Sequence, residues 1–205
     1  MKLFRVDGPI YNFMDTLKNL FLINVCLIIC SIPIVTFGAA VVAAYDVTLR
    51  MVKNEEGYVT RQFFQAFKAN IKQGCILGLI TLGCVEVVWL DYQLATKIED
   101  ASIFVMIFGM VSAFVFFFSL LYAFPQVARY NNKLSRILKN SFRISMKYIF
   151  RTVILVIVLA LEVAASMWNM TTLFIAVIIG PAFYIYTTSF MANAIFIDLE
   201  KEAKS

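Results

Sequence analysis

The chain has 205 residues, of which 61% are hydrophobic and only 15% are charged, and its mean hydropathy is +0.83. A soluble domain normally carries about 25% charged residues, so the composition excludes a soluble globular protein and indicates an integral membrane protein. The net charge is +5 at pH 7 and histidine is absent, which removes the commonest general base and metal ligand.

Six apolar segments follow one another along the chain, and each is expected to be helical because a backbone in lipid must satisfy its own hydrogen bonds. The connections 94–101 and 169–172 are short, whereas the polar stretches 1–19, 52–74 and 125–151 are long. The pattern predicts an all-α, polytopic transmembrane helical bundle in which residues 1–205 form a single integral membrane domain. The six segments are residues 20–32, 38–51, 75–93, 102–124, 152–168 and 173–197.

The first two apolar segments are joined by the stretch SIPIVTFGAA, in which Pro33 and Gly38 predict a helix break. This break either kinks one long span or closes a hairpin of two short spans. Lys and Arg mark the cytoplasmic side of a membrane protein. The hairpin places 17 of the 18 basic residues on that side, against 14 for a single crossing, but its return arm is short for a full span. The alternatives are therefore six crossings or five, with the C-terminus cytoplasmic in both and the N-terminus cytoplasmic in the hairpin.

Two of the polar stretches combine apolar residues at helical spacing with basic residues opposite, which is typical of amphipathic helices in the membrane interface. The first covers residues 60–74, with Phe63, Phe64, Phe67 and Ile71 on its apolar side, and the second covers residues 134–151. Such a helix either anchors the protein on anionic lipid or docks a cytoplasmic partner. The residues predicted to make these contacts are Arg61, Phe64, Phe67, Lys68, Arg136, Lys139, Arg143 and Lys147.

The carboxylates of Asp46, Glu86 and Glu162 lie inside apolar segments, where an ionisable group is costly unless it is satisfied and is therefore a candidate functional residue. Asp46 precedes Arg50 by one helical turn, which predicts an ion pair on one helix face. Glu86 and Glu162 have no basic residue within a turn. Each is either held by a polar group of a neighbouring helix or contacts a substrate, a proton or a partner.

No motif for catalysis, for a metal or for a cofactor is found, such as a serine nucleophile elbow or a phosphate-binding loop. The four cysteines lie inside apolar segments and are expected to be buried hydrophobic residues. The pairs Gly74 with Gly78 and Gly109 with Ala113 allow close helix packing, within the chain or between copies. A second helix break is predicted at Gly180 and Pro181. We expect neither enzymatic activity nor nucleic-acid binding.

The stretches SIPIVTFGAA, NEEGYVTRQFFQAFKANIKQG and FPQVARYNNKLSRILKNSF together resemble the YesL-like family of small bacterial membrane proteins of unknown function. One departure is Ala39, where a proline is expected after Gly38. The resemblance implies an accessory protein of the bacterial cell membrane that is linked to oligosaccharide uptake through the permease or ATPase subunits of an ABC importer. It implies no catalytic or binding residues. The intramembrane carboxylates suggest an alternative, which is an independent small-solute or proton-coupled transporter.

Overall fold

The computed structural model describes residues 9–55, 57–97 and 103–202, and that part of the chain contains helices but no strand. Within it, six segments are long and apolar enough to cross a membrane. The predicted all-α membrane bundle is confirmed, whereas both chain ends and the connection 98–102 lie outside the described residues. The helices are α1 (Pro9–Ser31), α2 (Phe37–Val52), α3 (Val59–Lys97), α4 (Ile103–Leu121), α5 (Ala123–Arg129), α6 (Leu134–Lys147), α7 (Ile149–Ser166) and α8 (Met170–Glu202).

The stretch around Pro33 separates two helices and does not kink a single long one. Proline disfavours a helical conformation in the residue before it, and Pro33 itself is extended, with φ −76° and ψ 115°. A 3-10 turn, Ile34–Thr36, follows, and the Thr36 hydroxyl donates to the carbonyls of Cys30 and Pro33 at 2.7 and 2.8 Å. Residues of the first half of α1 and of the α2–α3 connection line one cleft. The start of α1 and the end of α2 therefore lie at the same end of the bundle, which is the hairpin arrangement.

Gly38 does not break a helix, contrary to the sequence prediction, because α2 begins at Phe37 and continues through it. Its role is close packing. A Cβ added to Gly38 would lie 2.1 Å from the Gly74 carbonyl oxygen and 2.5 Å from the Gly78 Cα. The predicted pair Gly74 and Gly78 thus serves packing inside the chain. At this contact the antiparallel helices α2 and α3 pack closely against each other.

The first predicted interfacial helix is not a separate element, because residues 60–74 form the N-terminal part of the continuous helix α3. The chain offers no glycine or proline signal strong enough to end the helix before the apolar segment, and Gly74 itself is helical. α3 has 39 residues, which is about 58 Å at 1.5 Å per residue. A hydrocarbon core is only about 30 Å thick, so α3 is long enough for its basic N-terminal part to project beyond the lipid.

α2 forms the centre of the bundle. It has 16 residues, or about 24 Å, which is short for a bilayer of about 30 Å. Small side chains let its neighbours approach on several sides, and Ala39, Ala40, Ala43, Ala44 and Val47 are all fully buried. A helix enclosed in this way needs little direct contact with lipid, which explains how so short a return arm fits into the bundle.

The second predicted amphipathic helix is α6. It ends at Lys147, because Tyr148 leaves the helical conformation, and Ile149 already belongs to α7. Its buried side combines Ile137 and Ile144 with two serines. The Ser145 hydroxyl donates to the Phe118 carbonyl at 2.7 Å, and Ser141 accepts from the Gln126 amide at 2.7 Å. These hydrogen bonds dock α6 on α4 and α5, with its basic residues exposed.

Candidate functional site

The predicted ion pair on α2 is present. The Arg50 Nε donates to the Asp46 Oδ2 at 3.0 Å, and its Nη2 donates to Oδ1 at 3.3 Å. One helical turn separates the two residues, so the helix itself fixes this geometry. The pair gives Asp46 a structural role and leaves no free carboxylate at this position.

Glu86 lies on an exposed side of α3, between the exposed residues Val85 and Val87. Within the part of the chain that the structure describes, its carboxylate has no hydrogen bond and no ion pair. A different acidic residue joins α3 to its neighbour: the Ser112 hydroxyl of α4 donates to Asp91 at 3.2 Å. The sequence interpretation overlooked Asp91, although it too lies inside the apolar segment 75–93.

Glu162 is the intramembrane carboxylate that lines a cavity. The hydroxyl of Thr187 on α8 donates to its Oε1 at 2.8 Å. Its Oε2 is buried and has no hydrogen-bond partner among the described residues. The cavity has a volume of about 330 Å³ and lies between α7 and α8, with Leu17 of α1 at its edge. The three predicted carboxylates therefore have separate surroundings and do not form one shared site.

Pro181 lies inside α8, and the helix continues across Gly180 and Pro181 without the predicted break. Proline has no N–H, so the carbonyl of Val177, four residues earlier, loses its helical partner. The side-chain amide of Asn24 on α1 replaces it, donating to the carbonyls of Val177 and Ile178 at 3.1 and 2.7 Å. Neighbouring polar groups of this kind allow a proline inside a membrane helix. Asn24 was not among the predicted residues, although a lone asparagine in an apolar segment is a recognisable signal.

A cluster of charged residues ties the last turns of α8 to the segment 129–151. Arg129 donates to the Asn193 side chain at 2.8 Å and forms an ion pair with Glu200 at 3.0 Å. The Tyr130 hydroxyl donates to Glu200 at 2.7 Å. Burial, together with this hydrogen bond, raises the pKa of Tyr130, so the phenol remains a neutral donor. Two further ion pairs extend the cluster: Arg151 with Asp198 at 2.6 Å, and Lys147 with Glu202.

The predicted docking residues differ in whether their side chains are already engaged inside the fold. Lys147 is bound to Glu202, which raises the pKa of its ammonium group. Phe67 packs against the core, and Phe64 is 40% exposed. The other predicted basic residues are exposed and form no ion pair with any described residue. They make up two basic faces: Arg61 and Lys68 on α3, and Arg136, Lys139 and Arg143 on α6.

Comparison with known proteins gives two matches. A family model described as "Protein of unknown function, DUF624" matches residues 20–92, which include α2 and most of α3. The "Uncharacterized protein YesL" of Bacillus subtilis (strain 168) is 29% identical over 144 residues, covering 68% of each chain. No solved structure matches significantly. Both matches confirm the resemblance to the YesL-like family that the sequence predicted, through residues 20–92 for the family model and through 68% of the chain for YesL.

Proposed function

We propose that the protein is a non-enzymatic accessory subunit of the bacterial cell membrane that supports oligosaccharide uptake by docking on an ABC importer. The observation that carries the proposal is the pair of basic faces on α3 and α6, whose charges are not used inside the described fold. The family resemblance supplies the link to an importer. The descriptions of the two matching proteins or families name no transport partner.

The division of charges favours docking over internal stabilisation. Arg129, Lys147 and Arg151 are held by acidic residues of α8, whereas the basic residues of the two faces point away from the bundle. Exposed charge that is not paired within a protein is available to steer and orient a partner. An acidic surface on the permease or on the ATPase subunit is the matching chemistry. The same charges would also attract anionic lipid, so the experiment must separate the two.

The transporter alternative receives less support from the arrangement of the carboxylates. Asp46 is engaged by Arg50, Glu86 is exposed, and Glu162 is bonded to Thr187. A transporter built on these three groups needs them around one site near the middle of the membrane. Among these three described carboxylates, Glu162 alone lines a mostly apolar cavity.

Docking is tested by isolating the tagged protein from native membranes in mild detergent and identifying the bound proteins by mass spectrometry. The wild type is expected to bring down permease or ATPase subunits of an oligosaccharide importer. The triple substitution Arg136→Ala, Lys139→Ala and Arg143→Ala is expected to lower their recovery several-fold. Lys201→Ala is the matched control, since Lys201 is an exposed basic residue outside both faces.

Two results would contradict the proposal. Recovery of the wild-type protein alone would remove the importer as a partner. Equal recovery of importer subunits with the triple variant, combined with weaker binding of that variant to vesicles containing phosphatidylglycerol, would identify the α6 face as a lipid anchor.

A further inference from the structure

The cavity beside Glu162 lies between α7 and α8 and has a mostly apolar lining. Its wall is apolar and aromatic over most of its area and includes Leu17, Ala176, Phe183 and Tyr184. Its volume of about 330 Å³ lies at the lower end of the range found for small-molecule sites, roughly 300–1,000 Å³. The space is therefore suited to a compact molecule with an apolar body.

The two carboxylate oxygens of Glu162, a residue that lines the cavity, differ in their hydrogen bonding. The Oε1 of Glu162 already accepts the Thr187 hydroxyl, whereas the buried Oε2 has no partner among the residues described. A buried acceptor left without a donor is costly, and a bound cation with N–H groups removes that cost. Phe183 and Tyr184 line the same cavity, and an aromatic ring attracts a cation that lies over its π face.

Other ligand classes fit this lining less well. A divalent metal such as Ca²⁺ requires about six to eight oxygen ligands, and Glu162 is the single carboxylate among the described residues that line the cavity. An anion is repelled by Glu162. A sugar has many hydroxyl groups, and most of them would find no hydrogen-bonding partner on an apolar wall. The lining thus favours an organic ammonium ion.

We propose that this cavity binds a small organic ammonium ion with an apolar or aromatic body, held by the Glu162 carboxylate and by the rings of Phe183 and Tyr184. The site lies eleven residues along α7 from Arg151, which is about 16 Å at 1.5 Å per residue. It is therefore separate from the charged cluster at the other end of α7. The proposal neither requires nor excludes docking on an importer.

The test is isothermal titration calorimetry on the full-length protein in nanodiscs of phosphatidylcholine and phosphatidylglycerol. The probe is phenethylammonium, and 2-phenylethanol serves as a neutral molecule of similar shape. The wild type is expected to bind the cation at least roughly tenfold more tightly than the alcohol. Glu162→Gln is expected to remove this preference while still accepting the Thr187 hydrogen bond. Ala176→Phe, which fills the cavity, is expected to abolish binding of both molecules.

Glu86→Gln is the matched control, because Glu86 is an exposed carboxylate outside the cavity, and its variant is expected to bind like the wild type. Unfolding temperatures of all variants verify that they are folded. Equal binding of the cation by the wild type and by Glu162→Gln, or no cation preference in the wild type, would overturn the proposal. Replacing phosphatidylcholine with phosphatidylethanolamine is expected to leave binding unchanged. Competition by this lipid in the wild type alone would assign the site to a lipid headgroup and not to a free amine.

Discussion

Asn24 shows how a single side chain allows a proline in the interior of a membrane helix. A proline in a helix interior typically costs about 3 kcal/mol, partly through the hydrogen bond that it removes. In α8 the carbonyl left free by Pro181 is met by an amide from α1, whose residue is only 1% exposed. The two residues are 157 positions apart in the sequence, so their contact depends entirely on how the bundle folds.

Asn24→Leu is expected to destabilise the protein by about 1 kcal/mol, because the two α8 carbonyls lose their donor. The loss is moderate since the substitution also removes the Asn24 Oδ1, which is itself buried and unpartnered. In a Pro181→Ala background the cost is expected to fall, because the restored N–H bonds the Val177 carbonyl. Thermal unfolding in detergent of the wild type, both single variants and the double variant measures this coupling. Strictly additive effects would show that Asn24 does not act through the carbonyls.

At the scale of the elements, the contact between α2 and α3 determines how the centre of the bundle packs. Both helices present glycine at the point of closest approach, and a Cβ at Gly74 would lie 2.5 Å from the Cα of Ala39. Such distances are below those of real Cβ contacts, so any side chain there must move the backbone. The sequence predicted that Gly74 and Gly78 allow close packing, but not their partner. The sequence predicts a helix break at Gly38, whereas this residue lies inside α2.

Gly38→Ala and Gly74→Ala are each expected to destabilise the protein by about 1–3 kcal/mol, because overpacking forces α2 and α3 apart. Gly83→Ala is the control on the same helix, since a Cβ there meets nothing within 4 Å. That variant is expected to be neutral or stabilised by up to about 1 kcal/mol through better helix propensity. Unfolding temperatures of the three variants and the wild type, measured in one detergent, test this prediction. A loss of stability in Gly83→Ala equal to that in Gly38→Ala would argue against a packing role.

The sequence predicted the features that depend on local spacing and left open those that depend on tertiary contacts. The ion pair of Asp46 with Arg50 follows from one turn of helix, and the interruption at Pro33 follows from the geometry of proline. The hydrogen bond from Thr187 to Glu162 and the packing of Gly38 on Gly74 join different helices, so no local pattern reveals them. The continuity of α3 was also missed, because a change from amphipathic to fully apolar composition does not by itself end a helix.

Across the whole molecule, the acidic residues at the end of α8 bind the basic segment 129–151 to the bundle. The strength of these ion pairs depends on burial. The side chain of Arg129 is 13% exposed, whereas that of Arg151 is 43% exposed. Arg129 also lies over the ring of Phe196, with 5.4 Å from its Cζ to the ring centre. Arg129 is therefore expected to contribute more to stability than Arg151.

Arg129→Met is expected to destabilise the protein by about 1.5–3 kcal/mol, because charge-assisted hydrogen bonds to Asn193 and Glu200 are lost. Arg151→Met is the control, with an expected cost of about 0.2–1 kcal/mol for an exposed ion pair. Added salt is expected to reduce the difference between wild type and Arg151→Met more than that between wild type and Arg129→Met, since exposed charges are screened more strongly. Equal costs for the two variants would contradict a role for burial.

The hairpin and the distribution of charge together predict how the bundle is oriented in the membrane. If α1 and α2 both cross, Tyr11 and Tyr58 lie on one side and Trp168 on the other. These residues are 50%, 87% and 84% exposed, and each can be replaced by cysteine in a variant whose four native cysteines are alanine. The basic stretches predict that the first two lie on the cytoplasmic side. In intact cells a membrane-impermeant maleimide is expected to label Trp168→Cys alone, and Tyr11→Cys and Tyr58→Cys should react only after permeabilisation. Labelling of Tyr11→Cys in intact cells, with Tyr58→Cys protected, would mean that α1 and α2 together cross only once.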